Sequence, residues 1–253
     1  MTAGRHQIKA RLLYVPDCPG MEPARERLRA VIDREHLLVG TEELVIIDQD
    51  TARRERFLGS PTIQINGLDI EVSRRADTPF LGCRLYRDGS KVEPAPSERM
   101  MRDAIRRATA PKPKVLFLCT GNSCRSQMAE GWARRLRGDM IEAYSAGFDP
   151  HGLDPNAVKV MAEAGVDISA QRSKNIQELR DVTFDCVITL CGHANELCPF
   201  FPGKALRMHA GFDDPPRLAA GAETEEEALS HYRRIRDEIR AFIETLPNAF
   251  LGG

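Results

Sequence analysis

The sequence predicts an α/β protein of two domains, and three observations carry that expectation. Apolar runs of strand length alternate with amphipathic helical stretches along the chain. A proline-spaced polar segment, Ala108-Thr109-Ala110-Pro111-Lys112-Pro113-Lys114, interrupts the alternation and suits a short, semi-rigid linker. Immediately after it, the apolar run Val115-Leu116-Phe117-Leu118 feeds a loop of small residues that opens into a helical pattern. A strand, a small-residue loop and a helix in succession gather backbone N–H groups around an anion. The predicted boundaries are residues 1–108 for the first domain, 109–113 for the linker and 114–253 for the second domain.

In the first domain, Ile8 to Val15 reads as a strand ending at Pro16-Asp17-Cys18-Pro19-Gly20. The following stretch places Ala24, Leu28, Val31 and Ile32 on one helical face. Glu43 to Ile47 reads as a buried strand, and Thr51 to Leu58 as a charged helix broken by Gly59-Ser60-Pro61-Thr62. Thr62 to Asn66 and Leu68 to Val72 are two short strands joined at Asn66-Gly67, a dipeptide favoured in tight hairpins. A loop with Cys83 leads to a last helix from Ser97, its N-cap, to about Arg107.

The second domain alternates more regularly. Val115–Leu118 is a strand, and Ser126–Leu136 is a helix with Met128, Ala129, Trp132, Ala133 and Leu136 on its apolar side. Ile141–Ser145 is strand-like, and Asp154-Pro155 starts a helix that ends at Gly165. Cys186–Leu190 is a continuous apolar strand, Ala205–Met208 a weaker one. Glu223 to Leu246 is a long amphipathic helix. This order predicts a mostly parallel sheet covered on both faces, with the ligand at the carboxyl ends of the strands.

Composition narrows the function. The chain has 36 basic and 37 acidic residues, so charge gives no reason to expect nucleic acid or an anionic membrane surface as partner. The segment Met1 to Gln7 has no apolar core of signal-peptide length, and no run is long enough to span a bilayer. The expected location is the cytoplasm. Seven cysteines in a reducing compartment point to thiol chemistry rather than a structural disulfide framework.

The loop Cys119-Thr120-Gly121-Asn122-Ser123-Cys124-Arg125-Ser126 concentrates that chemistry. Cys119 precedes a helix N-terminus and sits near Arg125, a setting expected to lower a thiol pKa to roughly 3.5–7.5. Arg125 offers a planar fork to two oxygens of a tetrahedral oxyanion. Gly121 permits a backbone conformation that other residues resist, and Asn122 tolerates one nearly as well. Thr120, Gly121, Asn122, Ser123, Cys124 and Arg125 form the expected oxyanion cradle, with Ser126 able to hydrogen-bond the Cys119 sulfur. Farther on stand Cys191-Gly192-His193-Ala194-Asn195-Glu196-Leu197-Cys198 and Gly211-Phe212-Asp213-Asp214-Pro215. A Cys-x6-Cys pair lacks the tight ligand spacing of structural zinc sites, so no metal is expected there.

These segments, with Tyr144-Ser145-Ala146-Gly147 and Val187-Ile188-Thr189-Leu190-Cys191, resemble the low-molecular-weight tyrosine phosphatases and, more closely, the thioredoxin-coupled arsenate reductases that share their fold. The resemblance covers residues 114–247. It implies that Cys119 is the nucleophile, Arg125 the oxyanion clamp and Asp214 the acid, with Asp213 a turn residue. It further implies a relay in which a Cys119–Cys191 disulfide gives way to Cys191–Cys198, re-reduced by thioredoxin or a similar thiol donor. Arsenate is then the substrate, phosphate and sulfate are competing oxyanions, and no cofactor is bound. Seven residues of regular helix would set Cys191 and Cys198 roughly 10 Å apart, whereas a disulfide needs Cα atoms within about 7 Å. Segment 191–198 is therefore expected to unwind on oxidation. Cys124 and Cys186 have no assigned step.

Some members of that family hold potassium with an asparagine, a glutamate, a serine and an aspartate. Asn122, Glu130 and Ser145 match the first three, and Lys174 stands in the place of the aspartate. Its ammonium is expected to replace the metal ion, leaving little potassium dependence. Pro216-Arg217 after Asp214-Pro215 lacks the aromatic residue with which the phosphatases grip phosphotyrosine. A phosphatase using only Cys119, Arg125 and Asp214 is the alternative activity. A non-enzymatic oxyanion-binding redox sensor is a third reading.

Residues 8–108 resemble the thioredoxin fold in their order β-α-β-α-β-β-α, with Pro61 at the position of that fold's cis-proline. They depart from it at the motif: Cys18-Pro19-Gly20-Met21 has no second cysteine, so no local disulfide forms, and Cys83 is the remaining candidate partner. The resemblance leaves two roles open, a tethered thiol donor for the relay or a redox-silent docking module.

Overall fold

The computed structural model describes residues 8–197 and 205–246. The chain divides into two compact units, 1–111 and 112–253. No helix among the described residues is long and apolar enough to cross a membrane.

The first unit is built on a four-stranded sheet. β1 (Ile8–Tyr14) pairs in parallel with β2 (Val39–Val45) and antiparallel with β4 (Thr62–Ile65), which pairs antiparallel with β5 (Leu68–Asp69). Helix α1 (Met21–Arg34) buries Ala24, Leu28 and Val31 against the sheet. Helix α3 (Glu98–Thr109) packs Met101, Ala104 and Ile105 into the same core. Its cap is Ser97, whose hydroxyl accepts from Met100 N–H at 3.2 Å, a bond that typically contributes about 1 kcal/mol. Asn66 and Gly67 both have positive φ, +51° and +81°, as a tight antiparallel turn with matching twist requires.

Three expectations fail in this unit. The stretch 43–47 is not a buried strand: β2 starts earlier, at Val39, and pairs only with β1, leaving Ile47 76% exposed. An apolar run at a sheet edge has only one neighbour to cover it. The helix expected over 51–58 is α2 (Gln49–Arg54), started by Asp48, whose carboxylate accepts from Thr51 N–H at 2.7 Å. Finally, the loop around Cys83 is ordered as β6 (Phe80–Cys83), parallel to β3 (Leu58–Ser60), and as the hairpin β7 (Tyr86–Asp88) with β8 (Lys91–Glu93). These strands are too short for a periodic signal.

A buried charge cluster holds that insertion. Arg84 is completely buried, and its two terminal nitrogens donate to the Asp69 carboxylate at 2.6 and 2.7 Å and to Glu71 at 2.8 Å. Its guanidinium lies 4.5 Å from the centre of the Tyr86 ring, and Tyr86 donates its hydroxyl to Pro61 O at 2.7 Å. The Ser60–Pro61 bond is cis.

The second unit is a four-stranded, all-parallel sheet in the order β10 (Glu142–Gly147), β9 (Lys114–Cys119), β11 (Cys186–Thr189), β12 (Leu206–His209). Its helices are α4 (Arg125–Arg137), α5 (Pro155–Glu163), α6 (Gly192–Leu197), α7 (Pro215–Ala219) and α8 (Glu225–Thr245). The strands are buried along almost their whole length except β12 at the edge, as a parallel sheet covered by helices demands. β9 is flanked by an earlier and a later crossover, so the carboxyl end of β9 is the switch point of the sheet.

Removing Arg84 leaves Asp69 buried without its cation. Arg84→Ala is expected to cost the first unit about 3–5 kcal/mol. The only tryptophan, Trp132, lies in the second unit, so its fluorescence transition in urea should stay in place while the circular-dichroism transition of the first unit moves to lower urea. Two unmoved transitions would show that the cluster contributes little.

Candidate active site

The site forms where β9 ends. Cys119 is the last residue of β9, only 3% exposed, and the loop Thr120 to Cys124 carries the chain into α4. Its sulfur lies 2.9 Å from the Ser126 hydroxyl and accepts from Asn122 N–H at 3.2 Å. The resting thiol nevertheless differs from expectation. Burial pushes the Cys119 pKa up, and the hydrogen bonds from Ser126 and Asn122, which pull it down, do not outweigh that cost. Arg125 is not spent on the sulfur. One of its nitrogens donates to Phe212 O at 3.0 Å and the other meets the Asp214 carboxylate at 3.0 Å.

Of the two loop residues expected to accommodate a left-handed conformation, one takes it. The left-handed position belongs to Asn122, at φ +45°, and Gly121 is not in that region. At Gly121 a Cβ would stand 2.9 Å from Nδ1 of His151, an exposed ring that can turn aside. Gly147, at the end of β10, allows an even closer approach, because a Cβ would stand 2.5 Å from Thr120 O.

Asn122 is the hub of the loop. Its amide nitrogen donates to Ser126 Oγ at 2.9 Å, and its side-chain oxygen accepts from Lys174 N–H at 2.7 Å and from Gln127 Nε2 at 3.1 Å. Gln127 also donates to Asn122 O at 2.9 Å and to Arg172 O at 3.0 Å. Sequence reasoning missed Gln127; its signal was a polar side chain on the inward side of the first helical turn. It missed Phe148 as well, which packs against a cluster of Cys119, Cys191 and Ala194.

Cys191 is placed by strand register. Leu190 N–H donates to Leu118 O at 2.9 Å, so the residue after Leu190 emerges beside the loop, and Cys191 Sγ lies 3.5 Å from Thr120 Oγ1. Cys198 lies outside the described residues. Asp214 stands at the N-cap position of α7 but makes no side-chain cap hydrogen bond, its carboxylate facing Arg125, and Asp213 pairs with Arg234 on α8 at 2.9 Å. Cys124 is buried ahead of α4, and desolvation pushes its thiol well up. Cys186 is buried in β11 and is pushed up to about 12, again by burial. Ser123 contributes its carbonyl to Asp154 N–H at 3.0 Å. Cys18, Cys83 and Pro61 belong to the first unit.

Glu130 is almost fully buried on α4 and accepts from Ser145 Oγ; Arg134 is its neighbour one turn on. The Lys174 ammonium stands 3.6 Å from the same carboxylate and donates to Arg172 O at 3.0 Å. A monovalent cation beside Glu130 would meet that ammonium, so these residues do not fit potassium. The Trp132 unfolding midpoint should therefore be equal in potassium and sodium salts of matched ionic strength. Lys174→Ala should lower stability by about 1–3 kcal/mol, since Glu130 keeps its other partners. A midpoint several degrees higher in potassium with Lys174 intact would contradict this reading.

Comparison with known proteins places this geometry. The profile of the low molecular weight phosphotyrosine protein phosphatase family matches residues 114–249. An arsenate reductase of Halalkalibacterium halodurans is 52% identical over 134 residues, which cover 53% of this chain and 94% of that protein. An arsenate reductase of Bacillus subtilis is 53% identical over 135 residues, covering 52% of this chain and 95% of that protein. A solved structure of an arsenate reductase in the oxidized state aligns over 53% of this chain and 95% of that one, with 32% identity and a TM-score of 0.46. Through residues 114–249, the chain belongs to the low molecular weight phosphotyrosine protein phosphatase family.

Proposed function

We propose that the second unit is an arsenate reductase working through a cysteine relay. The observation that carries this reading is the second thiol: Cys191 shares a buried cluster with Cys119 and reaches the loop at Thr120. Hydrolysis of a phosphoenzyme has no use for that thiol, and reduction requires it. Identity of about half to arsenate reductases of two bacteria supports the same choice.

In the proposed reaction, the loop N–H groups and Arg125 bind arsenate, and the Cys119 thiolate displaces one oxygen, which leaves as water. The Cys191 thiolate then attacks the Cys119 sulfur. A Cys119–Cys191 disulfide forms, the sulfur–arsenic bond breaks, and its electron pair stays on arsenic, so arsenic(V) becomes arsenic(III) and arsenite departs. Cys198 attacks Cys191, releases the Cys119 thiolate and carries the oxidised pair to an external thiol donor such as thioredoxin. Helix α6 occupies 192–197, so closing Cys191–Cys198 requires that helix to unwind. Asp214, ion-paired with Arg125, is the proposed acid for the departing oxygen. We also assign the first unit to a thioredoxin-like fold; the sheet order β2-β1-β4-β5, with β1 central and parallel only to β2, supports this.

The decisive assay is arsenite production with a thiol reductant and the full chain. Cys119→Ser and Cys191→Ser should each abolish turnover, and Cys198→Ser should release about one arsenite per chain and stop. If the protein is a phosphatase, small phosphate esters should instead be hydrolysed at a rate untouched by Cys191→Ser or Cys198→Ser, with no arsenite formed. Arg125→Lys should lower kcat/KM for arsenate by about a hundredfold or more, because a point charge cannot replace the planar fork.

A further inference from the structure

The first unit carries two thiols that the relay does not use. Cys18, half-buried, lies in the turn between β1 and α1; Cys83, exposed, is the last residue of β6. They are far apart in sequence, and the β6 insertion brings their segments to a common place.

The parallel pairing of β6 with β3 sets Cys83 opposite Ser60, and Arg84 N–H donates to Ser60 O at 2.9 Å. The pair shifts register between Leu58 and Ser60, and Cys83 stays exposed while Ser60 is buried. The Ser60 hydroxyl accepts from Val15 N–H at 3.1 Å. Val15 directly follows β1 and opens the turn that carries Cys18. That turn closes with Met21 N–H donating to Cys18 O at 3.2 Å. Its far end rests on Pro61, where a Cβ on Gly20 would stand 2.9 Å from Pro61 Cδ. The Ser60–Pro61 segment thus has the Cys18 turn against it and the Cys83 strand paired to it. Backbone on the Cys83 side is anchored by its neighbour Arg84, locked onto Asp69 and Glu71. One half-buried and one exposed cysteine are thereby held on two segments that share Ser60–Pro61 as their neighbour.

We propose that Cys18 and Cys83 form a redox-active dithiol that exchanges with accessible disulfides. The exposed Cys83 thiolate attacks one sulfur of the disulfide, forming a mixed disulfide and releasing the first thiolate. Cys18 then attacks the Cys83 sulfur, forming Cys18–Cys83 and releasing the second. Two thiols of the protein are oxidised, one disulfide is reduced, and the two protons end on the released thiols. This does not rest on the reading of the second unit.

The test uses the full-length reduced chain, with oxidised glutathione as the disulfide. After incubation at neutral pH, free thiols are alkylated and the peptides mapped without reduction. The expected product joins the Cys18 and Cys83 peptides, protects both from alkylation and is reversed by dithiothreitol. In Cys18→Ser, Cys83 should instead retain glutathione, at least tenfold more than in the parent chain. The same cross-link should form in Cys119→Ser, which has lost the nucleophile of the second unit. Free, alkylated Cys18 and Cys83 in the parent chain, or a stable glutathione adduct on Cys83 there at the level seen in Cys18→Ser, would overturn the proposal.

Discussion

The second unit depends on the parallel register of β9 against its two neighbours. Pairing Gly147 with Cys119 brings the end of β10 under the loop, and pairing Leu118 with Thr189 delivers Cys191 beside it. Neither contact survives a one-residue slip, which would turn every side chain of the strand to the opposite face. Burial on both faces enforces the register: β9 has no exposed residue, and Leu116 and Phe117 are wholly buried on opposite sides. The hydrophobic effect therefore sets the thiol geometry, and no residue of the loop has to do so alone.

Within that frame the loop is shaped by hydrogen bonds converging on Asn122. A non-glycine residue in the left-handed region is uncommon, and asparagine is among the side chains that tolerate it best. Here the same side chain that tolerates the conformation also ties Ser126, Gln127 and Lys174 to the loop. With Asn122 fixed, its own N–H points at Cys119 and Ser126 Oγ is oriented onto the sulfur. Arg125 is held differently, by the carbonyl of Phe212 and by Asp214. Arg125 and Asp214 are thus positioned together, by a segment distant in sequence.

Much of this was legible before the structure. The run from Val115 through Ser126 announces strand, anion loop and helix because each stretch is strongly patterned and contiguous. Cys191 was legible because it ends an uninterrupted apolar strand. What could not be read was anything set by tertiary neighbours. The raised Cys119 pKa comes from burial, which no spacing rule encodes. Propensity allows the special backbone conformation at both Gly121 and Asn122; the hydrogen-bond network sets it at Asn122. In the first unit, β6 is four residues long and mostly exposed, so its pairing with β3 has no periodic signature, and the buried Arg84 reads in the sequence like any surface arginine.

Burial also bears on how a phosphatase loop would serve reduction. In the proposed relay, an intermediate on Cys119 would face two competing nucleophiles, water and a thiol. Water needs an open approach to the arsenic atom; the thiol needs only to be near the Cys119 sulfur. Enclosing Cys119 with Cys191, Ala194 and Phe148 restricts the first and supplies the second. A thiol fixed next to its target reacts as an intramolecular group, and well-oriented intramolecular reactions reach effective molarities of about 10⁵ M or more. On this view no change in the oxyanion loop is needed to convert hydrolysis into reduction. One residue at the end of the neighbouring strand suffices, provided that an outer thiol then carries the oxidation away.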